Sequence, residues 1–191
     1  MKTMKLRKMS RQNSISANYH ALAQEIIKKE RAGHKIYIEA VTKTRTAEEV
    51  NQAIKAGAII IAENKVQEAA DKISKVIKGP STRTHLIGHL QSNKTRKAVS
   101  IFDTIETVDS LKILKKIDTV AKEQNKNQEI YLQVNIGSDP NKYGFEPERA
   151  LEVIGMIKDY NNVNLTGLMT ILPLGLSKKS TRDMYLEMQK L

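Results

Sequence analysis

Apolar, β-branched runs alternate along the chain with stretches whose apolar residues recur every three or four positions. The runs predict strands, and the periodic stretches predict helices that bury one face. Six strand-helix units result, with strands predicted over residues 36–43, 58–63, 84–89, 104–109, 129–137 and 164–171. Such alternation is typical of a parallel sheet, which is either open and doubly wound or closed as a barrel.

Local signals mark the helices around these strands. A helix over residues 14–31 is predicted before the first strand, and Thr46 with Glu49 forms a capping box after that strand. Pro147 suits the first turn of a helix over residues 146–160. The helix behind the second strand is predicted from an apolar stripe made of Val66, Ala69, Ala70, Ile73, Val76 and Ile77.

The domain organisation is predicted to be simple. No Gly/Ser-rich linker interrupts residues 14–191, so we expect them to form a single domain. Residues 1–13 are basic and lead into no apolar run of the length that a secretory signal needs, so we expect a flexible N-terminus. Because no run of about 18 apolar residues occurs, no membrane span is expected.

Composition excludes several kinds of chemistry. The chain has no cysteine, which removes disulfides, thiolate metal sites and cysteine nucleophiles and is compatible with a cytoplasmic location. A net charge of +11 would favour nucleic acid as a partner. However, 24 lysines outnumber 8 arginines and are scattered along the chain. Because phosphate recognition favours arginine, this pattern indicates a solvated surface, and no nucleic acid partner is predicted.

Lys43 is the first candidate for chemistry, because it ends the first predicted strand and a helix start follows it. A lysine buried among apolar neighbours there would lose solvation of its charged form, so that its amine could attack an aldehyde. Position alone is a weak signal, since most lysines at strand ends are solvated surface residues.

Further polar residues follow the predicted strand ends, where α/β folds bind ligands. Asn64 follows the second strand and either contacts a ligand or serves as the N-cap of the helix from residue 65. Ser92 follows the third strand, and a helix cap is the favoured interpretation. His85 and His89 share one strand face, but a third metal ligand is not evident, so no metal site is predicted. We expect His85 to be a hydrogen-bonded internal residue and His89 to lie at the strand-end mouth.

Three motifs together resemble one protein family. They are Ala40-Val41-Thr42-Lys43-Thr44, Glu63-Asn64-Lys65-Val66-Gln67-Glu68 and His85-Leu86-Ile87-Gly88-His89-Leu90-Gln91-Ser92-Asn93-Lys94. The resemblance is to the YggS/PROSC-type pyridoxal phosphate homeostasis proteins, and it extends through residues 133–136 and 167–170. It covers the chain from about residue 14 to its end.

The resemblance implies a TIM-type (β/α)8 barrel of the alanine racemase N-terminal-domain kind. It implies that pyridoxal 5'-phosphate is held as a Schiff base on Lys43, with Asn64 close to the cofactor and Met169 on a strand that lines the same pocket. The implied role is a carrier or regulator in vitamin B6 homeostasis that performs no turnover. Its implied partners are pyridoxal phosphate and the apo-enzymes that depend on it.

The chain also departs from the family pattern. About six β/α units are visible, and the family's last two units, which supply phosphate-binding groups and an arginine facing the pyridine nitrogen, are not present. Smaller departures are Ala62 for a usual glycine and Lys65 for a usual aromatic residue or arginine. We therefore expect a truncated barrel that is monomeric or self-associates weakly through its exposed edges. The alternatives are a non-binding remnant of the family and a fold-type III racemase-like or decarboxylase-like enzyme.

Overall fold

Six strands alternate with helices in the structure, a computed structural model that describes residues 2–30 and 34–191 and the side chains from residue 15 onward. The strands are β1 (Glu39–Val41), β2 (Ile60–Glu63), β3 (Arg83–Leu86), β4 (Thr104–Val108), β5 (Gln128–Gln133) and β6 (Val163–Met169). The α-helices are α1 (Lys2–Ile27), α2 (Ala47–Lys55), α3 (Val66–Ile73), α4 (Thr95–Ile101), α5 (Leu111–Glu123), α6 (Pro147–Met156) and α7 (Lys178–Met188). Single 3-10 turns cover Ser92–Lys94 and Ile157–Asp159.

The chain divides into two compact units, one up to His85 and the other from Leu86 to Leu191. In the first unit, β1 pairs with β2 in parallel, and Val41 lies opposite Ala62. The single domain predicted for residues 14–191 stays a prediction. So does the flexible basic N-terminus over residues 1–13, whose side chains lie outside the described residues.

The second unit has its core on both sides of its sheet. β5 pairs in parallel with β4 and with β6, and every residue of β4 is buried. α5 contributes an apolar face to this core, and Phe102 at the end of α4 is fully buried. Each fully buried Val, Leu, Ile or Phe side chain in this core stabilises the fold by roughly 1.5–3 kcal/mol. The buried residues of α5 are Ile113, Leu114, Ile117, Val120 and Ala121.

Local signals in the sequence placed the elements well and their ends less well. The capping box of Thr46 and Glu49 is present at the start of α2, and Pro147 opens α6. β1 is much shorter than its predicted range, because Ile36 and Tyr37 are exposed and do not pair in the sheet. α3 ends before Ile77, which is 77% exposed although it continues the apolar stripe.

Two further findings concern the helices. α1 begins at Lys2 and ends at Ile27, whereas the pattern predicted a helix over residues 14–31. Within the described ranges, none of the helices combines the length and the apolar character that a bilayer crossing requires.

Candidate functional site

Lys43 lies just beyond the C-terminal end of β1. The backbone N–H of Thr42 donates to the Ala62 carbonyl at 2.8 Å, which continues the sheet one residue past the strand. Lys43 is exposed, as are Thr44 and Arg45 after it. Lys43 is therefore solvated, as most lysines at strand ends are, and is not buried among apolar neighbours. β1 lies at the edge of the sheet and, among the described residues, pairs with β2 alone, so residues at its end keep access to solvent.

Lys43 and Asn64 lie just past the ends of two paired parallel strands. β1 ends at Val41 and β2 at Glu63, and Val41 lies opposite Ala62. The Thr42 hydroxyl and the Lys72 ammonium both bond Glu63 Oε1, so the side chains of Thr42 and Glu63 meet on the α3 side of the sheet. Lys43 then lies in a turn and Asn64 in a bend, at the same end of the two strands.

Asn64 has an acceptor that no described residue satisfies. Its side-chain oxygen Oδ1 is buried and has no hydrogen-bond partner among the described residues. The N-cap of α3 is Lys65, without a side-chain cap bond, so the alternative that Asn64 caps this helix is wrong. An unsatisfied buried acceptor costs about 1–3 kcal/mol. The atom is therefore suited to a donor that a ligand would bring.

A buried lysine joins the strand ends on the opposite face. Lys72 of α3 is 9% exposed, and its Nζ donates to the Thr42 carbonyl and to Glu63 Oε1, both at 2.7 Å. It also donates to Glu68 Oε1 at 3.1 Å. Glu63 Oε1 accepts a further hydrogen bond from the Thr42 hydroxyl at 2.6 Å. We call these four residues together with Thr44 the Lys72 bridge.

Thr44 completes the Lys72 bridge from the other side of Lys43. Its φ is +62°, in the left-handed region that β-branched residues rarely adopt. Its backbone N–H donates to Glu68 Oε1. This hydrogen bond, followed by the one from Lys72, holds the pKa of the Glu68 carboxyl below its usual range. Glu68 is therefore a carboxylate at neutral pH, and it bonds both the lysine and the backbone.

The second unit has its own polar cluster at the strand ends. His89 Nδ1 lies 2.8 Å from Asp109 Oδ2, and Asp109 directly follows β4. The Tyr143 ring stacks on the His89 ring with centroids 3.8 Å apart and planes 12° apart. His89 lies after β3, as the strand-end rule predicted. Asp109 fell inside the strand predicted over residues 104–109, and neither Asp109 nor Tyr143 was singled out as a site residue, although the strand-end rule marks the first residue after β4.

The remaining predicted residues have separate surroundings. Ser92 begins a 3-10 turn whose N-cap is Gln91 without a side-chain cap bond, so the prediction that Ser92 caps a helix is wrong. In the first unit, His85 is buried and its Nδ1 lies 3.3 Å from Glu39 Oε1, as expected for an internal residue with a polar partner. In the second unit, Met169 is the half-buried last residue of β6, and its carbonyl accepts from the Val134 N–H at 2.8 Å.

A tight loop after β5 positions the Tyr143 ring against the His89 ring. The Phe145 N–H donates to the Gln133 carbonyl at 2.8 Å, and the Asn135 N–H donates to the Phe145 carbonyl at 2.9 Å. These bonds bring Gly144 against the end of β5 with φ of +131°. A Cβ at Gly144 would lie 2.7 Å from the Asn135 nitrogen, a backbone atom that is fixed by pairing.

Gly144→Ala is therefore expected to lower the free energy of unfolding by about 2–3 kcal/mol, through backbone strain and steric overlap. Urea denaturation followed by circular dichroism measures the change. Gly155→Ala is the matched control, because a Cβ there meets no atom within 4 Å. In the helix α6 alanine should stabilise by up to about 1 kcal/mol. Equal effects of the two substitutions would contradict the close approach at Gly144.

Comparisons with known proteins give relatives over most of the chain. The family model for the alanine racemase N-terminal domain matches residues 11–190. The pyridoxal phosphate homeostasis protein of Synechocystis sp. is 38% identical over 156 residues, which are 82% of this chain and 72% of that protein. The protein of the same name from Pasteurella multocida is 35% identical over 69% of this chain, and the match spans only 57% of that relative.

Solved structures agree with this result. PipY of Synechococcus elongatus without pyridoxal phosphate is 34% identical, with a TM-score of 0.77, over 87% of this chain and 78% of that one. The same protein with pyridoxal phosphate bound has a TM-score of 0.73. Alanine racemase of Clostridium difficile is 18% identical, with a TM-score of 0.74 over 91% of this chain and 46% of that one, which bears on the fold alone. The predicted fold class, the alanine racemase N-terminal-domain kind with about six β/α units, is confirmed.

Proposed function

The chain belongs to the alanine racemase N-terminal domain family and, within it, to the pyridoxal phosphate homeostasis proteins, and from this premise we propose that it binds pyridoxal 5'-phosphate (PLP) and carries or regulates it without turnover. The names of the curated relatives and the PLP-bound structure of PipY support the proposal. We propose further that it acts in the cytoplasm, as a monomer or weakly self-associating chain, and that PLP-dependent apo-enzymes receive the ligand.

Lys43 is the residue that we propose to hold PLP. When bound, PLP supplies an aldehyde to which a primary amine adds with loss of water, giving a Schiff base. Lys43 presents such an amine at the end of β1, exposed and therefore reachable. Its neighbours in the Lys72 bridge hold the backbone on either side of it. The ligand can therefore reach the exposed side chain, while hydrogen bonds hold the backbone that carries it.

The single observation that carries the proposal is that Lys43 and Asn64 lie at the same end of two paired parallel strands. An exposed amine follows β1, and a buried acceptor without a partner among the described residues follows β2. PLP carries an oxygen on the ring carbon next to the one that bears its aldehyde, and this oxygen is ionised at neutral pH and accepts hydrogen bonds. The Asn64 side-chain amide, which has two N–H donors, would donate to it. The residues present therefore fit the ligand that the family name implies.

Met169 is proposed as the third PLP-binding residue. Its thioether side chain is half-buried at the C-terminal end of β6. Methionine makes favourable and adaptable contacts with aromatic rings, and the PLP ring is of that kind. This assignment is supported by the motif at residues 167–170 and by the position at a strand end.

Titration of the purified protein with PLP tests the proposed function. We expect an imine absorbance band that saturates at one equivalent and, after borohydride reduction and peptide mapping, a single modified residue at Lys43. Circular dichroism on the same sample shows whether the chain is folded. A folded protein that gives no band would contradict PLP binding and would favour the non-binding remnant.

A further inference from the structure

One pair of side chains holds the backbone on both sides of Lys43. Lys72 Nζ donates to the carbonyl of Thr42, the residue before Lys43. Glu68 Oε1 accepts from the N–H of Thr44, the residue after Lys43. Because Lys72 and Glu68 also bond each other at 3.1 Å, a closed ring of hydrogen bonds runs around the Lys43 backbone.

The backbone conformation next to Lys43 would be unfavourable without this ring of hydrogen bonds. A β-branched residue in the left-handed region is destabilised by roughly 1–2 kcal/mol, and Thr44 has φ of +62°. Burial of the Lys72 ammonium adds a desolvation cost that only good partners offset. The left-handed Thr44 and the buried Lys72 do not serve to cap α3, since the N-cap residue of this helix, Lys65, makes no side-chain cap bond. The ring therefore stabilises one particular conformation of the residues next to Lys43.

We propose that Lys72 and Glu68 are positioning residues for Lys43, and that they set how fast its amine reacts with the PLP aldehyde. The inference rests on the proposed function of Lys43. A fixed backbone confines the amine to the few side-chain conformations that reach the aldehyde. A backbone without these hydrogen bonds would let the amine adopt many more conformations. Misplacement by about 1 Å is enough to slow a reaction up to 100-fold.

Glu68 is the residue to substitute, because its side chain is 28% exposed and the buried Lys72 ammonium keeps its bonds to the Thr42 carbonyl and to Glu63 when Glu68 is removed. Glu68→Ala removes the acceptor of the Thr44 N–H. Glu68→Gln keeps an oxygen that can accept that bond. Asp71→Ala is the matched control, since Asp71 is an exposed carboxylate on the same helix.

The experiment measures the second-order rate constant for imine formation by stopped-flow absorbance. We expect Glu68→Ala to react about tenfold more slowly than the native protein, whereas Glu68→Gln and Asp71→Ala should stay within about twofold of it. Glu68→Ala reacting at the native rate would overturn the inference. So would Glu68→Gln reacting as slowly as Glu68→Ala, because charge and not positioning would then be responsible.

A second measurement needs no PLP. Hydrogen exchange of the Thr44 amide should be slow in the native protein and in Glu68→Gln, and fast in Glu68→Ala. An unprotected Thr44 amide in the native protein would overturn the inference even if a variant failed to fold. The two proposals fail differently. If the native protein forms no imine while its Thr44 amide is protected, the proposed function is wrong and the ring itself is intact.

Discussion

Lys43→Ala is expected to abolish the imine absorbance band completely and to leave no residue that borohydride traps with PLP. Alanine has no amine, so the covalent bond to the ligand cannot form. The fold should be unaffected, because the Lys43 side chain is exposed and makes none of the bonds of the Lys72 bridge. Titration, reduction and peptide mapping measure the effect, and circular dichroism measures the fold.

In the same experiment, Lys43→Arg distinguishes the positive charge of Lys43 from its ability to form an imine. Arginine keeps the positive charge but stays protonated and forms no stable imine under these conditions. It should therefore behave like alanine in trapping. Lys75→Ala, at an exposed lysine just after α3, should bind as the native protein does. Trapping of PLP on another lysine in Lys43→Ala would contradict the assignment of Lys43.

Lys72→Met is expected to lower the free energy of unfolding by about 3–5 kcal/mol. The Lys72 and Glu63 side chains are 9% and 4% exposed and lie 2.7 Å apart. Removing the lysine leaves the Glu63 carboxylate buried without a countercharge at that distance. Since a domain is stabilised by only about 5–15 kcal/mol in total, urea denaturation should show a large shift of the midpoint.

A double substitution distinguishes a buried charge from lost packing. In Glu63→Gln/Lys72→Met both charges are gone, so the loss should be smaller than in Lys72→Met alone. Lys75→Met, at an exposed lysine one turn further along, should change stability by no more than about 0.5 kcal/mol. If the double variant were less stable than Lys72→Met, the cost would not come from an unpaired Glu63.

The fold was predictable because its signals are local and repeated. Apolar runs identified all the strands described here, and Thr46, Glu49 and Pro147 marked helix starts whose chemistry depends on neighbouring residues. Strand ends were less predictable. Whether Ile36 and Tyr37 join a sheet depends on a partner strand, which their own β-propensity does not reveal.

The candidate site was predictable only in part. Lys43 and Asn64 were selected as candidates from their place after strands and from the resemblance to a family. Lys72 was not found, because its helix position looks like that of any solvated lysine and its burial depends on partners 9 and 30 residues away. Sequence position also left the exposure of Lys43 open, since solvent access at a strand end depends on which strands pair beside it.

The left-handed Thr44 and the hydrogen bonds around it have an entropic consequence. Ordering a flexible backbone costs roughly 1–2 kcal/mol per residue at the moment of binding. In this protein the backbone of residues 42 to 44 is already ordered when the chain has folded. Capture of a ligand by Lys43 would then have to order only the torsions of one side chain, and its release would return only that freedom.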